Sequence, residues 1–326
     1  MKLPYLKRIS DSILEKRLSS SGAVLIEGAK WCGKTTTATM ASMSQLFMQD
    51  RDKSASYLKA ADTKPSLLLQ GETPRLLDEW QSAPVLWDAV QFMVDKRGLP
   101  GQFILTGSAT PQDNIVKHTG TGRISRLMMR PMSLYESLES SGSVSLRELF
   151  EGKSNIENIS ILTIEQIGFS IARGGWPSSV TGNEKIALRH TIDYVESLIN
   201  ADISQIDGVK KNPIRVRALM KSLARNISTM DTIKTIRDDI ALGNSDTSIS
   251  DKTISQYLYA LNPIFVTENL PAWNPALRSK TAIRTSPKRQ FVDPSIAVAV
   301  MRLTPSRLFD DFNFFGFLFE SLCIRD

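Results

Sequence analysis

The chain has 326 residues, 41% of them hydrophobic and 23% charged, and its 40 Lys+Arg against 34 Asp+Glu leave a formal charge of +6. Such a length exceeds one small core and suits two domains, while the composition excludes a fibrous repeat and a disordered chain. The mildly basic balance tolerates a polyanionic partner, a nucleotide or nucleic acid, without requiring one.

Two cysteines, Cys32 and Cys323, form no Cys-x-x-Cys pair, and the two histidines, His118 and His190, lie far apart. This argues against a disulfide scaffold, a structural zinc site and a Ser-His-Asp triad, and fits a reducing, cytoplasmic setting. Charges run through "MKLPYLKRISDSILEKRL", and no apolar run reaches the roughly 18 residues of a membrane span, so export and membrane insertion are not expected.

In chain order, the spacing around Ile13 to Leu18 predicts an amphipathic helix that stops at "SSSG". "AVLIEG" from Ala23 then reads as a short buried strand, and "KTTTATMASMSQLF" after Gly33 as a helix. "RLLDEW" (Arg75 to Trp80) and "QFILTGSA" (Gln102 to Ala109) are further compact apolar runs, separated by the helical "APVLWDAVQFMVDK". Strand and helix alternate as in a parallel sheet covered on both faces.

From about Ser137 onward the pattern turns helical, as in "YVESLINADI" and "PIRVRALMKSLARNI". A domain boundary is expected near Leu149 to Asn155. "DTIKTIRDDIAL", "GNSDTSI" and "SDKTISQYLYALNPIFVTENL" read as helix, turn, helix and strand, with Ser250 or Asp251 as cap, and "FVD" at Phe291 closes the order of a winged helix. The last stretch, "DDFNFFGFLFESLCIRD", carries Phe312, Phe314, Phe315, Phe317, Phe319 and Leu322 on one helix that needs a cover. The expected domains are 1–150, 151–307 and the start of another at 308–326.

The chemistry centres on "GAKWCGKT", which fits G-x-x-x-x-G-K-[ST] at Gly28, Gly33, Lys34 and Thr35 between a strand and a helix. In that arrangement the backbone from Gly28 through Ala29, Lys30, Trp31, Cys32 and Gly33 to Thr35 and Thr36 aims N–H groups at phosphates. Lys34 would neutralise the β- and γ-phosphates, and Thr35 would ligate Mg²⁺. Asp78 and Glu79 end the next apolar strand, where a ligand of the metal or its water and a water-polarising base belong. Thr106 or Ser108 would sit at the end of a neighbouring strand. Just beyond the expected sheet, "GTGRISRLMMRPMSLYE" offers Arg123, Arg126 and Arg130 as guanidinium donors to the transferring phosphoryl, in cis or across a subunit boundary.

The order "LIEGAKWCGKTTTA", "RLLDEWQ", "FILTGSA", "GTGRISRLMMRPMSLYES", followed by "GGWP", "FVDPSIA" and "GFLFESLCIRD", resembles the bacterial and archaeal AAA-type P-loop ATPases with a C-terminal region of unknown function. The resemblance implies an α/β fold, a P-loop NTPase parallel sheet with helices on both faces, then a mostly helical winged-helix domain and a restriction-endonuclease-like domain. It marks Gly28, Gly33, Lys34 and Thr35 as Walker A, Asp78 and Glu79 as Walker B, and Arg123 as the finger. Of the nuclease-like residues only Glu320 is present, so nuclease activity is not expected.

The leading expectation is an ATP- and Mg²⁺-dependent ATPase that couples hydrolysis to conformational change on a macromolecular partner, with homo-oligomers in view. The alternatives are a nucleotide-controlled DNA-binding regulator, contacting DNA through Lys252, Gln256 and the basic segment Arg278 to Arg289, and an assembly protein using the phenylalanine-rich end.

Overall fold

The computed structural model describes residues 5–107, 120–153, 158–203, 211–243, 249–276, 280 and 285–326. Ser108, His118 and the part of the basic segment at 278–279 and 281–284 lie outside the described residues. The described chain forms two compact units, Lys7–Arg130 and the residues from Pro131 to Asp326, the latter joined by Tyr5 and Leu6.

The first unit runs α1 (Ile9–Ser20), β1 (Ala23–Glu27), α2 (Lys34–Ala41), β2 (Ser44–Phe47), α3 (Ser54–Thr63), β3 (Arg75–Asp78), α4 (Val85–Arg97), β4 (Phe103–Gly107) and β5 (Ile124–Met128). Its five strands are parallel in the order β2-β3-β4-β1-β5. Alternation along each strand sends side chains to opposite faces. Ala23, Leu25, Leu77, Phe103 and Leu105 join one buried cluster with Trp80, Leu86, Trp87 and Val90. Val24, Ile26, Leu76, Ile104 and Leu127 join the other, with Leu14 and Ala38. A sheet apolar on both faces requires two helical layers, and burial of each such side chain is worth about 1.5–3 kcal/mol.

Two local expectations are corrected here. The helix after Gly33 ends at Ala41, and Ser44–Phe47 is the edge strand β2. It pairs with β3, Leu46 opposite Leu77, and only Leu46 of its residues is buried. "ISRLM" does not lie beyond the sheet; it is β5, in register with β1 from Ala23↔Ile124 to Glu27↔Met128. As an edge strand it buries Ile124 and Leu127 and leaves Arg126 half-exposed, so its charge obscures the strand pattern.

The second unit begins at Pro131, earlier than the fading strand pattern suggests. The reason is a backbone pairing: Met132 N–H donates to Gly175 O at 2.6 Å, which ties the 131–140 segment to the "GGWP" turn. A Cβ on Gly175 would meet Met132 O at 2.0 Å, so only glycine permits that approach. Helices Glu184–Ser197, Pro213–Arg225, Ile233–Gly243 and Asp251–Leu261 follow, the last capped by Ser250 through Thr253 N–H. The antiparallel ribbon β6 (Thr267–Leu270) and β7 (Lys288–Phe291) comes next.

The phenylalanine-rich end is not a separate unit. Helix Phe312–Arg325, capped by Asp311, buries Phe315, Leu318 and Leu322 within the second unit and leaves Phe312, Phe317 and Phe319 exposed. Its last turn enters a buried polar cluster. Arg325 Nη1 lies 3.0 Å from Asp293 Oδ2, with the side chains 1% and 0% exposed. Asp293 also accepts from Gly175 N–H and Ser295 N–H, each at 2.9 Å. No described helix is long and apolar enough to cross a membrane.

Candidate active site

Among the described residues, the P-loop residues, Asp78, Glu79 and Thr106 gather at the C-terminal ends of β1, β3 and β4. The sheet order explains this: β4 lies between the P-loop strand β1 and the acidic strand β3, with Ile26 and Asp78 both opposite Thr106. Three short parallel strands therefore deliver the loop, the carboxylates and a hydroxyl to one edge.

The loop between β1 and α2 curls through Gly28 (φ 152°), Trp31 (φ 67°) and Gly33 (φ 105°). Positive φ at Gly28 and Gly33 comes without a side-chain penalty, whereas Trp31 bears a cost on the order of 1–2 kcal/mol. Gly28 is required for a second reason, since a Cβ there would lie 2.1 Å from Met129 O. The segment after β5 thus braces the loop, and Cys32, buried, adds an Sγ–H donated toward Met129 O at 3.4 Å. Trp31 and Thr36 are exposed, Lys30 is half-buried and Ala29 is buried.

A buried arginine missed by sequence reasoning holds the loop from the other side. Arg8 Nη1 donates to Cys32 O at 2.9 Å and Nη2 to Arg130 O at 2.8 Å. It reaches carbonyls 24 and 122 positions away, so no local pattern could have found it.

Lys34 is buried, and its Nζ donates to Gly28 O at 2.9 Å and Ala29 O at 2.8 Å. A buried ammonium needs such acceptors, and a triphosphate would offer stronger, charged ones in their place. Thr35 Oγ1 donates to Asp78 Oδ1 at 2.8 Å, and the fully buried Thr106 donates to the same oxygen at 2.6 Å. A hydroxyl and a carboxylate brought together are the oxygen donors a hard cation such as Mg²⁺ takes, so the donor set fits that ion.

Glu79 follows with φ 56° and ψ 47°, a left-handed conformation that turns the chain away from the sheet directly after Asp78. Its N–H donates to Thr106 Oγ1 at 3.1 Å, and its carboxylate accepts from the Gln81 amide. Strain of this kind in a non-glycine residue costs on the order of 1–3 kcal/mol and concentrates at functional positions. Burial pushes the Glu79 carboxyl above the ordinary carboxylate range, against the opposing pull of the Lys34 charge.

The three arginines are not brought to this edge as donors to the loop. Arg123 precedes β5 and donates from its Nε to Asp95 at 2.7 Å; its carbonyl accepts from Ala23 N–H, at the start of β1 and hence at the opposite end of the sheet from the P-loop. A finger role for Arg123 in cis is therefore corrected by the parallel register of β1 and β5. Arg126 pairs with Glu27 at 3.3 Å, and Arg130 contributes its carbonyl to Arg8.

Comparison with known proteins agrees with this fold. An AAA domain family model matches residues 20–138, and a model described as a domain of unknown function (DUF8612) matches residues 164–307. The chain is 24% identical over 299 residues to uncharacterized proteins of Mycobacterium bovis and Mycobacterium tuberculosis, covering 89% of this chain and 58% of theirs. It therefore spans little more than half the length of those relatives. Among solved structures, it is similar to a Walker-type ATPase of Pyrococcus abyssi, with a TM-score of 0.55, 16% identity, and coverage of 91% of this chain and 96% of that one. The N-terminal side of the chain has the P-loop NTPase fold, and the AAA domain model matches there; the model of the domain of unknown function matches the stretch that follows.

Proposed function

We propose that this chain binds ATP with Mg²⁺ and hydrolyses it, using the cycle to drive a rearrangement that acts on a macromolecular partner. One observation carries the reading: Lys34, Thr35, Asp78, Thr106 and Glu79 converge at one sheet edge around the loop, with every polar group already oriented by another. The loop amides and the N-terminus of α2 hold the β- and γ-phosphates, and Lys34 leaves the Gly28 and Ala29 carbonyls for them. Thr35 and Asp78 hold the magnesium ion, which supplies charge neutralisation on the phosphates when bound. Glu79 orients the attacking water and accepts its proton.

Arg123 belongs in this scheme as a donor to a second copy. It is exposed, lies at the edge away from its own loop, and is held by an exposed Asp95 whose ion pair is weak enough to exchange. A homo-oligomer that brings it to a neighbour's γ-phosphate would complete the charge stabilisation.

The DNA-binding reading gains less support. Lys252 and Gln256 do share the exposed side of helix Asp251–Leu261. Yet Lys288 pairs with Glu320 at 2.6 Å, and Arg289 pairs with the buried Asp231 at 3.0 Å, so the described strand of the basic segment spends its charge internally. Phosphate contacts need uncommitted cations. Three helices followed by the β6–β7 ribbon fit the order of a winged helix, and a packing role for it accords with these pairings.

The purified chain should release phosphate from ATP only when magnesium is supplied. Saturable ATP binding with no phosphate release under any magnesium concentration would reduce the reading to a nucleotide-binding module.

A further inference from the structure

Glu79 is flanked by a residue whose placement the AAA resemblance does not explain. The one-turn helix Trp80–Ser82 starts directly after Glu79, closed by Ser82 N–H to Glu79 O at 3.0 Å. Trp80 anchors it: the indole is 1% exposed and lies 4.9 Å, centroid to centroid, from Trp87. With the middle residue fixed in the core, the residues on either side of it, Glu79 and Gln81, face the same polar edge. Gln81 Nε2 donates to Glu79 Oε2. Its other end, Oε1, is buried and has no hydrogen-bond donor among the described residues.

Buried acceptors of this kind are rarely left unmet, and an explanation is owed for each. A water entering beside Glu79 meets the need. We propose that Gln81 is a positioning residue for hydrolysis: its amide fixes one oxygen of the Glu79 carboxylate, turning the other toward the attacking water, while its own carbonyl oxygen accepts that water's second hydrogen. The inference rests on the hydrolytic reading above.

The water oxygen forms a bond to the γ-phosphorus as the bond from that phosphorus to the β–γ bridging oxygen breaks, and its electron pair leaves on ADP. One water proton passes to Glu79 and from there to the released phosphate; the other stays on the new phosphate oxygen, after its hydrogen bond to Gln81 has aimed the lone pair. Losing the aim of a reacting group by about 1 Å costs about 100-fold in rate even with all reactants bound.

The test is Gln81→Met, which preserves length and packing and removes both polar atoms. The expected result is a fall in kcat of about 100-fold with ATP affinity within about threefold of wild type. A readout that a mere packing role would not move is the split itself: the single-turnover rate falls while equilibrium ATP binding is retained. If kcat is unchanged while Glu79→Gln is inactive, the role of Gln81 is overturned and the ATPase reading stands. If wild-type protein hydrolyses no ATP, the reading and the proposal fall together.

Discussion

Replacing Glu79 by Gln is expected to leave ATP binding nearly intact and to lower the hydrolysis rate by about 10²- to 10⁴-fold, the share that a positioned general base contributes. The geometry separates the two quantities. Among the described residues the hydrogen-bond partners of Glu79 are Thr106 and Gln81, neither of them in the loop, so the nest that would hold the phosphates is built without its carboxylate. Single-turnover kinetics beside equilibrium titration would show the split, and unchanged turnover would remove Glu79 from the chemistry. The wild-type rate should rise with pH through a value above the ordinary carboxylate range, because burial holds the Glu79 proton on. The sign for stability is opposite: a carboxyl whose pKa is raised on folding favours the folded state at low pH, and that contribution is lost as pH climbs through the raised value. The glutamine variant should therefore be at least as stable as wild type at neutral pH.

The second large effect is on stability, in the other unit. Asp293→Asn leaves the Arg325 guanidinium buried beside a neutral partner, and breaking such a pair costs about 3–5 kcal/mol. Asp326, which accepts from Arg325 at 2.9 Å, offsets part of that charge but has its side chain 26% exposed. Burial works against the Arg325 charge, yet Asp293 and Asp326 together hold its pKa above the ordinary arginine value. For a unit of this size the loss corresponds to a fall in unfolding temperature of roughly 10 °C. Adding Arg325→Met to Asp293→Asn should recover part of it, since the penalty is chiefly an unpaired charge rather than a missing contact. Equal melting of the single variant and wild type in a thermal scan would show that the pair contributes nothing.

These two sites differ in how openly the sequence displays them. The P-loop is legible because its chemistry is local: one strand, two glycines, a lysine and a threonine at fixed spacing. Asp78 and Glu79 are legible because an apolar run ends in acids, and Thr106 because its strand does the same with a hydroxyl. The edge strands were hidden by their own surroundings. β2 buries only Leu46, and β5 carries Arg126 outward, so neither shows the apolar run of a central parallel strand. Arg8, Asp293 and Arg325 act through partners far away in the chain, which no periodicity records. Gln81 stands between these cases: its spacing from Glu79 was visible, but only the buried Trp80 turn gives that spacing a meaning. For Arg123, closeness to β5 in sequence does not tell which end of a parallel strand it occupies, so a role toward its own loop and one toward a second copy look alike there.

The central claim is that the loop from Gly28 to Thr35, with Lys34 at its base, holds a triphosphate. Calorimetric titration of the full chain with ATP and magnesium, beside Lys34→Ala, tests it directly. A lost charge-assisted contact to phosphate should weaken binding at least about tenfold in the variant. Equal affinity of the two proteins, or no heat of binding in wild type, would contradict it.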